Sequence, residues 1–114
     1  MNIIMKTEGM TATDLYNLTK GNDVRKMADA EGETLTIGKF VMYDDVNSEG
    51  VVSVVLAIET REGARYATNS KTFVRNFGDI VDMFEEAKEP LPEKIRVGSG
   101  TSRAGRKYLT CDIA

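Results

Sequence analysis

Hydrophobic and polar residues alternate along much of the chain after residue 33, and alternation with a period of two predicts β-strands. Three such segments come first, at Thr34–Tyr43, Val51–Thr60 and Ala64–Thr68. Residues 44–50 (DDVNSEG) carry turn-forming side chains between the first two, and residues 61–63 (REG) form a tight turn between the second and third. The second and third predicted strands therefore form a hairpin.

After residue 68 the hydrophobic pattern changes to the period of a helix. Asn69 or Ser70 can cap this helix. Its apolar residues fall on one face at helical spacing, at Phe73, Phe77, Ile80, Val81 and Phe84. Pro90 and Pro92 stop the helix, because proline cannot continue it.

Two more strand-like segments follow the helix, Lys94–Gly98 and Arg106–Ile113, with a flexible glycine-rich loop at residues 98–105 between them. The order β-β-β-α-β-β is that of the OB-fold, a partly open five-stranded Greek-key barrel that binds oligonucleotides. Other small barrels and β-grasp-like mixtures can give the same order. The predicted fold class is therefore mainly β with one to three helices, arranged as a five-stranded OB-fold barrel.

The start of the chain shows no strand pattern and predicts a short helical segment. The first ten residues lack periodicity and are expected to be loosely attached. Thr11 or Thr13 can cap a short helix that ends at Gly21. A second turn or two of helix is expected over Val24–Ala28.

The length of 114 residues fits one domain. We expect an N-terminal extension at residues 1–31 and an OB-fold domain at residues 32–114. The chain has no run of about 18 apolar residues, and residues 1–5 are too short for the apolar region of a signal peptide. The protein is therefore expected in the cytoplasm, with no membrane partner.

Cysteine and histidine usage excludes several kinds of chemistry. Cys111 is the single cysteine and histidine is absent, so a disulfide, a Cys/His zinc site and a histidine-based triad cannot form within the chain. The carboxylate pairs Asp44/Asp45 and Glu85/Glu86 are adjacent in sequence and point apart, which does not suit acid–base catalysis. We therefore expect no enzyme activity, no cofactor and no metal.

Charge is distributed unevenly along the chain, whose formal net charge is −3. Residues 90–114 hold five cations and two carboxylates. Because affinity for nucleic acid depends on local neutralisation of phosphates, a basic stripe on an acidic body can still bind a polyanion. The asymmetry therefore favours a nucleic-acid site near the last two strands.

The segment Gly100–Lys107 (GTSRAGRK) comes close to the phosphate-loop pattern GxxxxGK[ST]. Arg106 stands where the lysine belongs, and only seven residues follow Lys107, too few for the helix that would hold the phosphate. The segment is instead interpreted as a mobile basic loop that contacts a phosphate backbone, or as a plain surface loop.

Three tyrosines and six cations are the candidate binding residues. Tyr43, Tyr66 and Tyr108 lie on predicted strands, where bases can stack on their rings, although rim tyrosines with a buried ring give the same pattern. The candidate phosphate contacts are the sheet and loop cations Lys39, Arg65, Arg96, Arg103, Arg106 and Lys107. Lys71 and Arg75 in the first turns of the predicted helix are assigned to a solvated face.

Three motifs carry a family resemblance. They are Tyr66 followed by Asn69-Ser70-Lys71-Thr72, the helical Asp79-Ile80-Val81-Asp82, and the segment GSGTSRAG at residues 98–105. With these motifs, residues 15–113 resemble the small single-stranded DNA-binding proteins of phages that infect Gram-positive bacteria, including the type used in protein-primed replication.

The resemblance implies an OB-fold, sequence-independent binding of single-stranded DNA, no cofactor and a role in phage genome replication. Strand tyrosines thought to stack on bases in that family fall at Tyr43 and Tyr66. Replication proteins are further candidate partners, and the oligomeric state stays open. The alternative is an OB-type protein-interaction module of a phage or prophage, which the net charge of −3 would also suit.

Overall fold

The computed structural model describes all 114 residues, in seven strands, two α-helices and one short 3₁₀-helix. The strands are β1 (Asn2–Lys6), β2 (Val24–Lys26), β3 (Thr34–Val46), β4 (Val52–Thr60), β5 (Arg65–Thr68), β6 (Lys94–Thr101) and β7 (Lys107–Ile113). The helices are α1 (Ala12–Lys20) and α2 (Lys71–Glu86), and the 3₁₀-helix is Met27–Ala30. Neither α-helix is long and apolar enough to cross a membrane.

The strands form one curled mixed sheet in the order β2-β5-β4-β3-β6-β7. Strand β1 pairs with β3 outside this path, and every pairing is antiparallel except that of β2 with β5. The long β3 organises the sheet because its first residues pair with β6 and the rest pairs with β4. The two end strands, β2 and β7, are not paired with each other, so the sheet curls without closing.

A register shift between Ile37 and Lys39 marks the bend in β3. At Gly38, between them, a Cβ atom would lie 3.0 Å from the backbone oxygen of Glu59 on β4. The close approach of the two backbones therefore favours glycine, because a side chain would require one backbone to shift by a few tenths of an ångström. Such an irregularity bends a strand and lets one sheet curl around a core.

The main core lies between the concave side of the sheet and α2. Phe73 and Phe77 of α2 are fully buried, and the Phe77 ring meets Phe40 of β3 edge-to-face at 4.9 Å between centroids. Ile80 and Val81 are also buried, so the predicted apolar face of α2 is confirmed. Ser70 caps the helix, its side chain accepting a hydrogen bond from the Phe73 amide.

A second, smaller core lies on the other side of β3 and β4, under α1. Leu18 of α1 packs there against Val41, Tyr43 and Ala57. A capping box starts α1, because the Thr11 hydroxyl and the Asp14 carboxylate each accept a hydrogen bond from the other's backbone amide. The middle of β3 is consequently buried on both of its faces.

The structure confirms a mainly β fold with helices, and the five predicted strands are present as β3 to β7 with α2 between β5 and β6. The count of five is wrong, because β1 and β2 bring the total to seven. The bulge in β1 breaks its alternation, and β2 has only three residues, so neither carries a period-two signal. The boundary after residue 31 stays a prediction.

Three local expectations also need correction. The first ten residues, expected to be loosely attached, include β1, which pairs with β3. The predicted helical turns over Val24–Ala28 are instead β2 followed by the 3₁₀-helix. The start of the predicted 98–105 loop continues β6 as far as Thr101, because its backbone pairs with β7 from Gly98 onward.

Candidate nucleic-acid interface

The tip of the β6–β7 hairpin is an ordered turn. The Ser102 amide donates to the Arg106 carbonyl at 2.8 Å, and the Arg106 amide donates to the Ser102 hydroxyl at 3.1 Å. Gly105 takes a positive φ of 80°, which a residue with a side chain rarely adopts. The turn exposes Arg103 and Arg106, and neither has a carboxylate within 4 Å. Both guanidinium groups are therefore free to bind an anion.

The ring of Tyr108, on β7, lies across a glycine of the neighbouring strand β6. Gly100 and Tyr108 are directly paired, and a Cβ atom at Gly100 would lie 2.6 Å from Cζ of the ring. The absence of a side chain at Gly100 thus makes room for the ring. Tyr108 is 39% exposed. Arg96, also exposed, lies on the same face farther along β6.

Lys107, the last cation of the hairpin, forms an ion pair with Glu31. Lys107 Nζ lies 2.5 Å from Glu31 Oε1, and the Ser99 hydroxyl donates to the other oxygen of Glu31 at 3.2 Å. The hydrogen bond and charge of Lys107 hold the pKa of Glu31 below its ordinary value. Lys107 therefore has to break its ion pair with Glu31 before it can contact a phosphate.

Two connected depressions lie where the sheet fails to close, and together we call them the open-edge groove. They have volumes of about 410 and 440 Å³ and share Ala28 and Leu109 as lining residues. The first is also lined by Lys26, Met27, Val55, Ala67, Thr68 and Asn69. The second is also lined by Glu31, Ser70, Lys107 and Tyr108. The groove thus runs from the end of β5 to the part of β7 next to the β6–β7 turn.

The charges around the depressions of the surface differ in sign. The open-edge groove contains Lys26 and Lys107 against the single carboxylate of Glu31. A depression beside the end of α2 contains one lysine and three glutamates, Lys6, Glu8, Glu85 and Glu89. Another, beside the end of β7, contains Asp79 and Asp112 and no cation. A polyanion is therefore attracted to the open-edge groove and repelled from the other two.

Lys39 and Arg65, two of the predicted phosphate contacts, belong to a separate ion-pair network. Lys39 Nζ lies 3.1 Å from the Asp14 carboxylate, and Arg65 Nε donates to Glu59 at 2.7 Å. Arg65 Nη1 also donates to both oxygens of Asp23 at 2.9 Å. Hydrogen bonds to Glu59 and then Asp23 raise the pKa of Arg65. Both cations are thus occupied by carboxylates.

Tyr43 and Tyr66 lie inside the protein. Tyr43 is 4% exposed in the core under α1, and Tyr66 is 8% exposed in the main core. Burial, and then the charge of Asp45, raises the pKa of Tyr43. Neither ring offers a face to a base in this conformation, so base stacking at these two positions stays a prediction that requires the ring to be uncovered.

The structure therefore brings five of the nine predicted residues together on one hairpin: Arg96, Arg103, Arg106, Lys107 and Tyr108. Sequence reasoning missed Lys26 and Glu31, because they join the groove only through the gap between the ends of the sheet. No group of three or more histidine, cysteine or carboxylate side chains is placed to hold a metal ion.

A family model described as phage single-stranded DNA-binding protein, of the phi29 type, matches residues 4–114. This range includes most of β1 and all the other elements, among them the whole β6–β7 hairpin. No curated protein and no solved structure matches the chain significantly. The family match confirms the resemblance carried by the sequence motifs, and it supports single-stranded DNA as a partner of the protein. The chain belongs to the phage single-stranded DNA-binding protein family.

Proposed function

We propose that this protein coats single-stranded DNA without regard to base sequence and protects it during phage genome replication, in the cytoplasm of the host. The observation that carries the proposal is the β6–β7 hairpin, whose turn exposes unpaired Arg103 and Arg106 and whose last strand exposes the ring of Tyr108, two residues after Arg106. Cations contact phosphates and rings stack on any base, so this combination binds a strand without reading base edges. The role is binding without catalysis, and replication proteins are candidate partners.

The arrangement of strands supports an OB-type barrel for this purpose. Strands β3 to β7 and α2 keep the OB order, and β3 pairs with both β4 and β6. The β6–β7 turn then corresponds to the loop between the fourth and fifth OB strands, one of the loops that bind oligonucleotides in that fold. Strands β1 and β2 are additions to this core arrangement.

We expect affinity to be similar for homopolymeric and mixed-sequence single strands and to fall with salt. Each phosphate contact should contribute about −0.7 to the slope of log K against log salt concentration, because released counterions drive the binding. Fluorescence anisotropy of labelled oligonucleotides at several salt concentrations measures both quantities.

Tight binding to one sequence, insensitive to salt, would contradict this proposal. A folded protein that binds no single strand at all would instead favour the protein-interaction module. Duplex DNA of the same length serves as the comparison ligand, because stacked and paired bases cannot pack on Tyr108.

Glu31→Gln should bind single-stranded DNA about two- to fivefold more tightly than the parent protein. In the free protein Lys107 is paired with Glu31, and an exposed ion pair of this kind contributes only a modest free energy that the DNA has to replace. Glutamine removes the competing charge and keeps the shape. Titration of both proteins with one mixed-sequence oligonucleotide measures the ratio.

Glu93→Gln is the matched control for this prediction. It removes the same charge from an ion pair with Arg61, next to the opposite end of β6. Equal affinities of the two variants would show that total charge, not the partner of Lys107, controls binding.

A further inference from the structure

We propose that the bound strand continues from the open-edge groove into a third depression, where Lys71 and Arg75 of α2 contact its backbone phosphates. This inference rests on the proposed function and extends its binding path by two residues that the sequence pattern assigned to a solvated face. The third depression, which we call the α2 depression, has a volume of about 370 Å³. It lies between the start of β4 and the first turns of α2.

The α2 depression adjoins the open-edge groove. Asn69, immediately before the residue that caps α2, lines both. The three depressions therefore form one path from Lys107 on the hairpin, past Lys26, to Arg75 on the helix. A single strand that follows the groove meets Lys71 and Arg75 without leaving the protein surface.

The two cations of the α2 depression have no negative partner. Lys71 and Arg75 are exposed, neither has a carboxylate within 4 Å, and no acidic residue lines the depression. The residues are four apart, so they lie on the same side of the helix. Phosphates are thus the ligand that their charge and spacing suit.

The positions of Lys71 and Arg75 lower the stability of α2 when no ligand is bound. Positive charges near the N-terminus of a helix oppose its macrodipole, and like charges four residues apart repel. The acidic residues of α2 all lie in its second half, at Asp79, Asp82, Glu85 and Glu86. The helix therefore has a charge order opposite to the one that would stabilise it, and a bound phosphate would remove both penalties.

The opposite wall of the α2 depression suits the rest of a nucleotide. Val52 is 61% exposed and Val54 is 36% exposed, with Ser53 between them. Exposed apolar side chains beside cations can contact sugars and bases while the cations contact phosphates. The position of the α2 depression beside the open-edge groove favours the DNA strand over an acidic peptide as the occupant.

The double variant Lys71→Gln/Arg75→Gln tests this inference, with Lys6→Gln/Lys88→Gln as the control. The control changes the net charge equally, and Lys88 lies beyond the far end of α2, a 16-residue helix about 24 Å long. We expect the salt slope of the test variant to be lower by about 1.4, from two lost phosphate contacts. Its affinity deficit relative to the control should then be about sevenfold larger at 50 mM than at 200 mM salt.

Oligonucleotide length gives a second measurement. The affinity of the parent should increase with length until the whole path is covered, whereas the test variant should reach its plateau at a shorter length. A slope and a plateau equal to those of the control would overturn the inference, and the proposed function would survive if the hairpin variants still lost affinity. A parent protein that binds no single strand would overturn both, and thermal melting shows that each variant is folded.

Discussion

Replacement of Arg103, Arg106 and Lys107 by alanine should lower the affinity for single-stranded DNA on the order of 10- to 100-fold at low salt. Three lost phosphate contacts should also reduce the salt slope by about 2. The fold should survive, because all three side chains are exposed on or beside the β6–β7 turn. Anisotropy titrations at several salt concentrations measure the loss, and thermal melting checks the fold.

Alanine at Lys6, Arg61 and Lys88 provides the matched control for this triple variant. It removes the same charge at exposed positions away from the β6–β7 turn. An unchanged affinity and slope in the hairpin variant would show that the β6–β7 turn is not part of the binding site. An equal loss in both variants would mean that only the net charge of the protein matters.

Alanine substitution of a buried tyrosine should lower the stability of the fold, whereas alanine substitution of the exposed tyrosine should lower the affinity for DNA. Tyr66→Ala should destabilise the fold by about 3–5 kcal/mol, as expected when a large aromatic side chain is removed from a core. Tyr108→Ala should leave the melting temperature nearly unchanged and cost about 1–3 kcal/mol of DNA binding, the value of a lost base-stacking contact. Melting and binding have to be measured on the same variants, together with the Tyr→Phe changes, which keep the rings.

The same variants test the stacking predicted at the buried tyrosines. A well-folded Tyr66→Ala protein with a 1–3 kcal/mol binding loss would show that its ring is uncovered when DNA binds. Intrinsic fluorescence provides an independent measurement, because the protein has four tyrosines and no tryptophan. If Tyr108 stacks on a base, the Tyr108→Ala variant should lose part of the quenching that DNA causes in the parent.

The elements that the sequence predicted are those with a long, half-buried face. Strands β3, β4 and β7 each have seven or more residues, and α2 presents one apolar stripe to the core. Strands β1 and β2 depend on partners distant in sequence, β3 for the first and β5 for the second. The hydrophobic patterns of β1 and β2 are too short to predict a strand, because each strand forms only when it pairs with its partner in the folded sheet.

The position of Tyr43 could not be predicted, because the bend in β3 breaks its alternation. Leu35 and Phe40 both belong to the main core although they are five positions apart in the strand. A strict period of two would put them on opposite faces, and the register shift at Gly38 brings them to the same one. Val41 and Tyr43 consequently face α1. The basic hairpin was predictable because charge clusters are visible in sequence, whereas the groove depends on how the sheet curls.

The open edge of the sheet also has a consequence for the order of events during synthesis. One wall of the groove comes from Lys26–Ala28 and the other from β7, and more than 75 residues separate them in the chain. A ribosome-bound chain that has not yet produced β7 has the first wall and no groove. Such an incomplete chain lacks Lys107 and Tyr108, so it would compete only weakly for phage DNA until the last strand has docked beside β6.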